Sequence, residues 1–151
     1  VGLSSDSERL KLALELGATD VIQSDIEDPI EKINEMTGGK GADIVVEATG
    51  NTEAVTQAIE VAAAGGLILM GGSGFDGKEV SFKPWNVVRD EKQLKGLQGF
   101  EWADYLLALD LYASGKLKLA PMISKKQPLD EVNEACELVE AKNALKIILI
   151  P

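Results

Sequence analysis

The stretch "ADIVVEATGNTEAVTQAIEVAAAGGLILMGG", residues 42–72, decides the fold class. Its β-branched run Ile44–Val46 is apolar without alternation, which is typical of a strand covered on both faces. Apolar side chains then recur at helical spacing over Thr52–Ala64, and the glycine pair 65–66 closes this predicted helix. The apolar segment 67–70 predicts a second strand. A strand, a helix and a strand in succession predict a βαβ unit and hence a parallel sheet.

Further elements on both sides of this stretch repeat the alternation. Ser5 and Glu8 have the spacing of a capping box and predict a helix start, and Asp28 before Pro29 predicts a second start. Later segments predict short strands at 80–82 and 94–99 and a helix over 102–114. The fold class is therefore α/β, with a doubly wound, mostly parallel, Rossmann-like sheet. The apolar residues of the helix over 102–114 (Tyr105, Leu106, Leu109 and Tyr112) are expected to face the core.

The composition excludes several classes of function. The 151 residues carry a formal net charge of −10 and no large cluster of lysine and arginine, which argues against nucleic acid or an anionic membrane as a partner. With one cysteine and no histidine, the sequence predicts neither a zinc site nor a histidine base, and no residue is assigned as catalytic or metal-binding. The single cysteine, with no membrane-spanning run or signal peptide, predicts a cytoplasmic protein.

Small residues crowd the turns at which predicted strands give way to helices. These turns are Ser4–Ser5, Gln23–Ser24, Ala48–Gly50 and Gly71–Ser73. Ligands of doubly wound sheets bind beyond the carboxyl ends of the strands, and glycine lets the backbone approach them closely. One glycine alone more often only makes a turn, but small residues at consecutive strand ends predict a ligand site. The glycine-rich phosphate loop of dinucleotide-binding domains is not found in the sequence.

Six blocks carry a family resemblance: "SERLKLALELGATDVI", "GGKGADIVVEATG", "GGLILMGG", "LYASGKLKLAPMIS", "PLDEVNEACELVE" and "ALKIILIP". In this order they resemble medium-chain dehydrogenases of the zinc alcohol and sorbitol dehydrogenase type. The resemblance implies a partial nucleotide-binding domain over 1–120 and a return segment toward the catalytic domain over 121–151. It also implies a fragment that begins at the second strand of the nucleotide domain, without the catalytic domain, the first strand or the phosphate loop.

The resemblance further implies a function for the intact protein. We expect an NAD(P)-linked dehydrogenase that transfers a hydride between a small alcohol or carbonyl substrate and a nicotinamide, and that forms a homo-oligomer. Zinc is expected in the intact enzyme but not on this segment, and the segment alone is expected to be inactive. Two alternatives stay open, namely a zinc-free quinone oxidoreductase of the same superfamily and a non-catalytic nucleotide-sensing module.

The cofactor residues follow from the resemblance position by position. Ser4 occupies the place where NAD-preferring relatives have an acid beside the adenosine ribose, and Arg9 matches a basic residue near the same ribose. Serine removes a carboxylate that would repel a 2′-phosphate, so the sequence favours NADP over NAD, with Asp6 close by as a substitute acid. The other implied contacts are Ser5, which also suits a helix cap, Ala48, Thr49 and Gly50 along the ribose, and Gly71 and Gly72 beside the nicotinamide.

Three residues that resemble catalytic groups, Glu47, Tyr112 and Lys116, are interpreted as structural. Glu47 lies at a strand end, where we expect its carboxylate to accept backbone hydrogen bonds. Tyr112 and Lys116 have the spacing of the tyrosine–lysine pair of short-chain dehydrogenases. Gly115 predicts that the helix ends between them, which removes them from a common helix face.

Overall fold

The computed structural model describes residues 1–151. In chain order its elements are α1 (Ser7–Glu15), α2 (Pro29–Met36), β1 (Ala42–Glu47), α3 (Thr52–Val61), β2 (Ala62–Met70), α4 (Pro84–Arg89), β3 (Gln93–Gly96), α5 (Trp102–Ala113), β4 (Ile123–Pro128), α6 (Val132–Glu140) and β5 (Lys146–Ile150). Short 3-10 turns cover Ser4–Asp6, Ala120–Met122 and Leu129–Glu131. The chain divides into two compact units, one of residues 1–5 and 22–99 and the other of residues 6–21 and 100–151.

The first unit contains a three-stranded parallel sheet in the order β1-β2-β3. Ile68 in the middle strand stands opposite Val45 on one side and Leu94 on the other. Ile68 is fully buried, with 0% of its surface exposed, and it belongs to a core cluster with Val55 and Ile59 of α3. The helix that connects two parallel strands therefore covers the sheet, and the predicted parallel α/β fold is confirmed.

Strand β2 begins earlier than its sequence predicts. The helix was expected to reach Ala64, but α3 ends at Val61 and β2 starts at Ala62, which pairs with Ala42. Gly66, which was expected to close the helix, instead lies within β2. An added Cβ there would stand 2.8 Å from the Ala63 oxygen and 3.1 Å from the Ala42 oxygen of β1. Strand pairing with β1 therefore overrides the helix preference of the alanine run.

One face of β1 is open, contrary to the expectation of a strand covered on both faces. Ile44 and Val46 are 63% and 62% exposed. Val45 between them points the other way, because successive side chains of a strand alternate, and it packs against the core cluster. The prediction from the continuous apolar run that both faces of this strand are covered is therefore wrong.

The connection between β2 and β3 also differs from its prediction. Residues 80–82 form no strand, and a helix that was not predicted, α4, begins with Pro84 in its first turn. Proline suits that position because the first turn leaves its N–H groups unbonded in any case. The predicted strand at 94–99 is β3, which starts at Gln93 and ends at Gly96.

The second unit contains two parallel strands, β4 and β5, with α6 packed against both. Ala135 of α6 is buried, as is Gln127 of β4, whose Nε2 donates a 3.0 Å hydrogen bond to Glu131. Because α6 connects the two strands, this part of the unit is a βαβ arrangement of its own.

Helix α5 does not bury the side chains that were expected in the core. Its apolar residues lie all around the helix, so that no single face is selected, and none of its residues is buried. Tyr105, Leu106, Leu109 and Tyr112 are between 43% and 52% exposed. Trp102 instead stacks on Tyr105, with ring centroids 5.3 Å apart.

Helix ends with a strong local signal lie where they were expected. The Asp28 carboxylate accepts a 2.8 Å hydrogen bond from Ile30 N, and Pro29 occupies the first turn of α2. The capping box of Ser5 and Glu8 is not formed, because residues 4–6 make a 3-10 turn and Asp6 becomes the N-cap of α1.

Candidate functional site

Ser4 is held by a carboxylate from a distant part of the sequence. A parallel bridge joins Gly2 to Gln23. In this bridge Gly2 N donates to the Ile22 oxygen and Ser24 N donates to the Gly2 oxygen, both at 2.9 Å. Just beyond this bridge, Ser4 N donates a 2.7 Å hydrogen bond to Asp25 Oδ1. The Ser4 hydroxyl donates a short hydrogen bond to Asp25 Oδ2. The carboxyl ends of two neighbouring extended segments thus share one serine–carboxylate pair.

Asp25 is an exposed acid whose carboxylate is bonded by Ser4. The hydrogen bond from the Ser4 hydroxyl, followed by that from the Ser4 backbone, lowers the pKa of Asp25 below its ordinary value. Sequence reasoning missed this residue, although it lies one position beyond the predicted turn at Gln23–Ser24. The available signal was that the carboxyl ends of parallel strands meet at one edge of a sheet.

The turns after β1 and β2 interlock through their glycines. Gly71 N donates a 2.8 Å hydrogen bond to the backbone carbonyl oxygen of Glu47. A Cβ on Gly72 would stand 2.1 Å from Gly50 N, and a Cβ on Gly50 would stand 2.2 Å from Gly74 N. The structure therefore brings together two of the predicted cofactor segments, 48–50 and 71–72. At Gly50 and Gly72 the contact between the turns leaves no room for a side chain.

Glu47 anchors the first of these turns, as its structural interpretation predicts. The side chain is only 4% exposed. Its Oε1 accepts hydrogen bonds from Thr49 N at 2.7 Å, Thr49 Oγ1 at 2.5 Å and Gly50 N at 3.0 Å. Oε2 has no hydrogen-bond partner. Ala48 and Thr49 themselves are exposed, so the buried acid holds an accessible turn.

Arg9 has partners of its own among the residues of its unit. Its Nε lies 4.0 Å from Asp6 Oδ1, and its NH2 group donates to the Ala144 oxygen at 3.4 Å. Asp6 also lies 3.8 Å from Lys142 Nζ. The pairing with Asp6 is the structural role that the sequence allows for Arg9. Binding of a cofactor by Ser5 and Arg9 stays a prediction.

The tyrosine–lysine pair is excluded from a shared helix face, as predicted. Helix α5 ends at Ala113, before Lys116 is reached. Gly115 has a φ of +75°, a left-handed conformation that glycine adopts easily and that ends helices. Tyr112 and Lys116 therefore lack the geometry of a proton-transfer pair on one helix.

No group of three or more histidine, cysteine, aspartate or glutamate side chains stands close enough together to hold a metal ion. The lone cysteine, Cys136, is exposed. None of the helices has both the length and the apolar character needed to cross a bilayer.

Comparison with known proteins gives consistent matches. Residues 1–114 match the family model described as "Zinc-binding dehydrogenase". The chain is 33% identical to an L-threonine 3-dehydrogenase of Bacillus velezensis over 151 residues, which covers 99% of this chain and 43% of that protein. It superimposes on an alcohol dehydrogenase of Thermotoga maritima with a TM-score of 0.91 and 30% identity, covering 99% of this chain and 42% of that one.

A second solved structure carries a nucleotide. It is a Sinorhizobium meliloti protein titled as a zinc-binding dehydrogenase bound to NADP, with a TM-score of 0.85 and 29% identity, and it covers 95% of this chain and 42% of that one. The present chain therefore spans less than half the length of each of these relatives.

Proposed function

Because this chain belongs to the zinc-binding dehydrogenase family, in its medium-chain alcohol dehydrogenase branch, we propose that it is the coenzyme-binding part of an NAD(P)-dependent alcohol or polyol dehydrogenase. The observation that carries the proposal is the serine–carboxylate pair at the carboxyl ends of two extended segments, which suits the hydroxyls of a ribose. When bound, the nicotinamide accepts or donates the hydride, and the protein supplies binding and orientation.

The predicted cofactor residues take roles along one extended dinucleotide. The pair of Ser4 and Asp25 binds the adenosine ribose, with Ser5 directly after Ser4 in sequence. A contact from Arg9 to the cofactor rests on the family resemblance alone. The exposed turn held by Glu47 passes along the ribose, and the interlocked turn after β2 borders the nicotinamide. The residues proposed for these last two contacts are Ala48, Thr49, Gly50, Gly71 and Gly72.

Zinc does not fit the residues of this chain. A catalytic zinc takes histidine, cysteine and carboxylate ligands, whereas the chain has one cysteine, no histidine and no acidic cluster. We therefore assign zinc ligation to the part of the relatives' length that this chain does not span, and we derive no catalytic step through zinc from these residues. We also propose a small alcohol or carbonyl substrate and a homo-oligomer for the whole protein on the family resemblance, and a cytoplasmic location on the single cysteine of this chain.

The choice between NADP and NAD turns on the surroundings of Ser4. NADP was favoured because Ser4 replaces an acid, and the Sinorhizobium meliloti neighbour holds NADP. The Asp25 carboxylate on Ser4 removes the reason for that preference, since an acid again lies at this position.

A titration of the chain with NADH tests the proposal. We expect amide resonances of residues 4, 25, 48–50 and 71–72 to shift in a 15N–1H NMR spectrum. Ala48→Asp places a carboxylate on the exposed turn and is expected to weaken binding, whereas Ala103→Asp makes the same charge change at an exposed position of α5 and should have no effect. Shifts that cluster elsewhere, or none at millimolar NADH, would contradict the proposal.

A second test concerns activity. The chain alone is expected to turn over no alcohol with NAD or NADP, even with zinc added, because it holds no ligand set for the metal. Turnover that copurifies with the chain would show that the chemistry lies within these residues.

A further inference from the structure

Asp25, which follows a different extended segment than Ser4, has the geometry of a specificity determinant. Resting on the proposed function, we propose that Asp25 makes this chain select dinucleotides whose adenosine ribose carries a free 2′-hydroxyl, and so NAD over NADP. The observation behind this is that both donors of Ser4 are directed at the Asp25 carboxylate.

Ser4 has no donor left for a phosphate. Its backbone N–H is bonded to Asp25 Oδ1 at 2.7 Å, and its hydroxyl proton is bonded to Asp25 Oδ2. A serine hydroxyl has one proton to donate, and phosphate oxygens near neutral pH mainly accept hydrogen bonds. At Ser4 itself, a 2′-phosphate would therefore meet only the lone pairs of the serine oxygen, unless the existing pair with Asp25 were broken.

A ribose hydroxyl, in contrast, finds acceptors. A carboxylate has about four lone-pair positions on its two oxygens. The bonds from Ser4 occupy two of those on Asp25, and the side chain is exposed. The remaining positions can accept protons from the 2′- and 3′-hydroxyls, and the Ser4 oxygen offers a further acceptor. The pair thus matches the donors of a diol.

The charge of Asp25 acts in the same direction. No lysine or arginine forms an ion pair with its carboxylate, so the negative charge is not neutralised locally. The basic residue expected to help, Arg9, makes contacts with Asp6 and the Ala144 oxygen. At roughly 5 Å in water, repulsion between one carboxylate and a phosphate of about two charges lowers affinity by about tenfold.

The experiment compares two probes that differ at the ribose. Adenosine 5′-monophosphate and adenosine 2′,5′-bisphosphate are titrated into the chain, and the two dissociation constants are measured by NMR for the native sequence, Asp25→Asn and Glu27→Gln. Glu27 is the matched control, because it is an exposed acid two residues away whose replacement removes the same charge.

We expect the native chain and Glu27→Gln to bind the 5′-monophosphate about tenfold more tightly than the bisphosphate, and Asp25→Asn to bring the two constants to within about twofold. Equal constants in the native chain, or a preference for the bisphosphate, overturn the inference whatever the variants do. An unchanged ratio in folded Asp25→Asn also overturns it. If neither probe binds any of the proteins, the proposed function itself fails, which is a result distinct from binding without discrimination.

Discussion

Gly72→Ala is the substitution expected to damage the candidate site most through packing alone. The backbone of Gly72 does not require a positive φ, so the change introduces only a methyl group. That methyl would lie 2.1 Å from Gly50 N and 2.6 Å from both Gly50 Cα and Glu47 Oε2. Since carbon atoms pack at roughly 3.5 Å or more, the two turns must separate by more than about 1 Å.

The cost follows from this separation. Overpacking of a rigid contact costs about 3 kcal/mol. The movement also pulls Gly50 N away from the buried Glu47 Oε1, with which it makes a 3.0 Å hydrogen bond. The loss of that bond adds about 1 kcal/mol. With a urea slope of about 2 kcal/mol per molar, we expect the unfolding midpoint of the first unit to fall by about 2 M.

The assay needs a signal from the first unit alone. In a Trp102→Phe background, the remaining tryptophan is Trp85 of α4, which lies in that unit. Gly96→Ala is the control, because a Cβ there meets nothing within 4 Å, and a small gain of about 0.5 kcal/mol is expected from the stiffer unfolded chain. Equal midpoints for Gly72→Ala and Gly96→Ala would refute the interlocked-turn geometry.

Three further predictions concern stability and charge. Ile68→Ala removes a fully buried side chain and should lower the unfolding free energy of the first unit by about 3.5 kcal/mol in the same urea assay. Ile44→Ala, at a 63% exposed position, should lower it by less than about 0.5 kcal/mol. Similar losses in the two variants would contradict the burial of Ile68. The pKa of Asp25, followed by carboxyl 13C NMR, should lie below its ordinary value and rise in Ser4→Ala. A carboxyl group with a lowered pKa stabilises the folded state at pH values above its pKa in the unfolded chain, and this stabilisation is lost as the pH falls through its pKa in the folded chain. The Ser4→Ala variant should therefore lose less stability on acidification than the native chain. Asp28→Ala removes the cap of α2 and should cost about 1 kcal/mol, with faster amide exchange confined to that helix.

Features specified by adjacent residues were predictable from the sequence. The alternation of apolar strands with helices fixed the parallel α/β class, because the periods of the two elements differ. Asp28 before Pro29 marked the start of α2, and Gly115 marked the end of α5. In each case the deciding interaction joins residues within one helical turn, so a short window of sequence contains the information.

Features that depend on distant partners were not predictable. Ala62 belongs to a strand because it pairs with Ala42, twenty residues earlier, which the alanine run itself does not reveal. The exposure of Ile44 depends on what packs against its face, and an apolar run only indicates that burial is favourable.

The candidate site shows the same division. Glu47 and its turn were predictable because the carboxylate bonds to residues two and three positions ahead. Asp25 was missed because it reaches Ser4 across 21 residues, through a bridge that only the folded chain forms. The preference for NADP was inferred from Ser4 and Arg9 without knowledge of Asp25, and the role proposed for Asp25 would reverse that preference.

The open edge of β1 has a consequence for handling the chain in solution. β1 is an outer strand of its sheet and pairs with β2 on one side, and its exposed face carries Ile44 and Val46. An unpaired, apolar strand edge is a template for intermolecular β-pairing, which charged side chains discourage. Among the central residues of β1 only Asp43 supplies such a charge, so concentrated or acidified samples should aggregate through this edge first, and Val46→Lys should delay precipitation without disturbing the core.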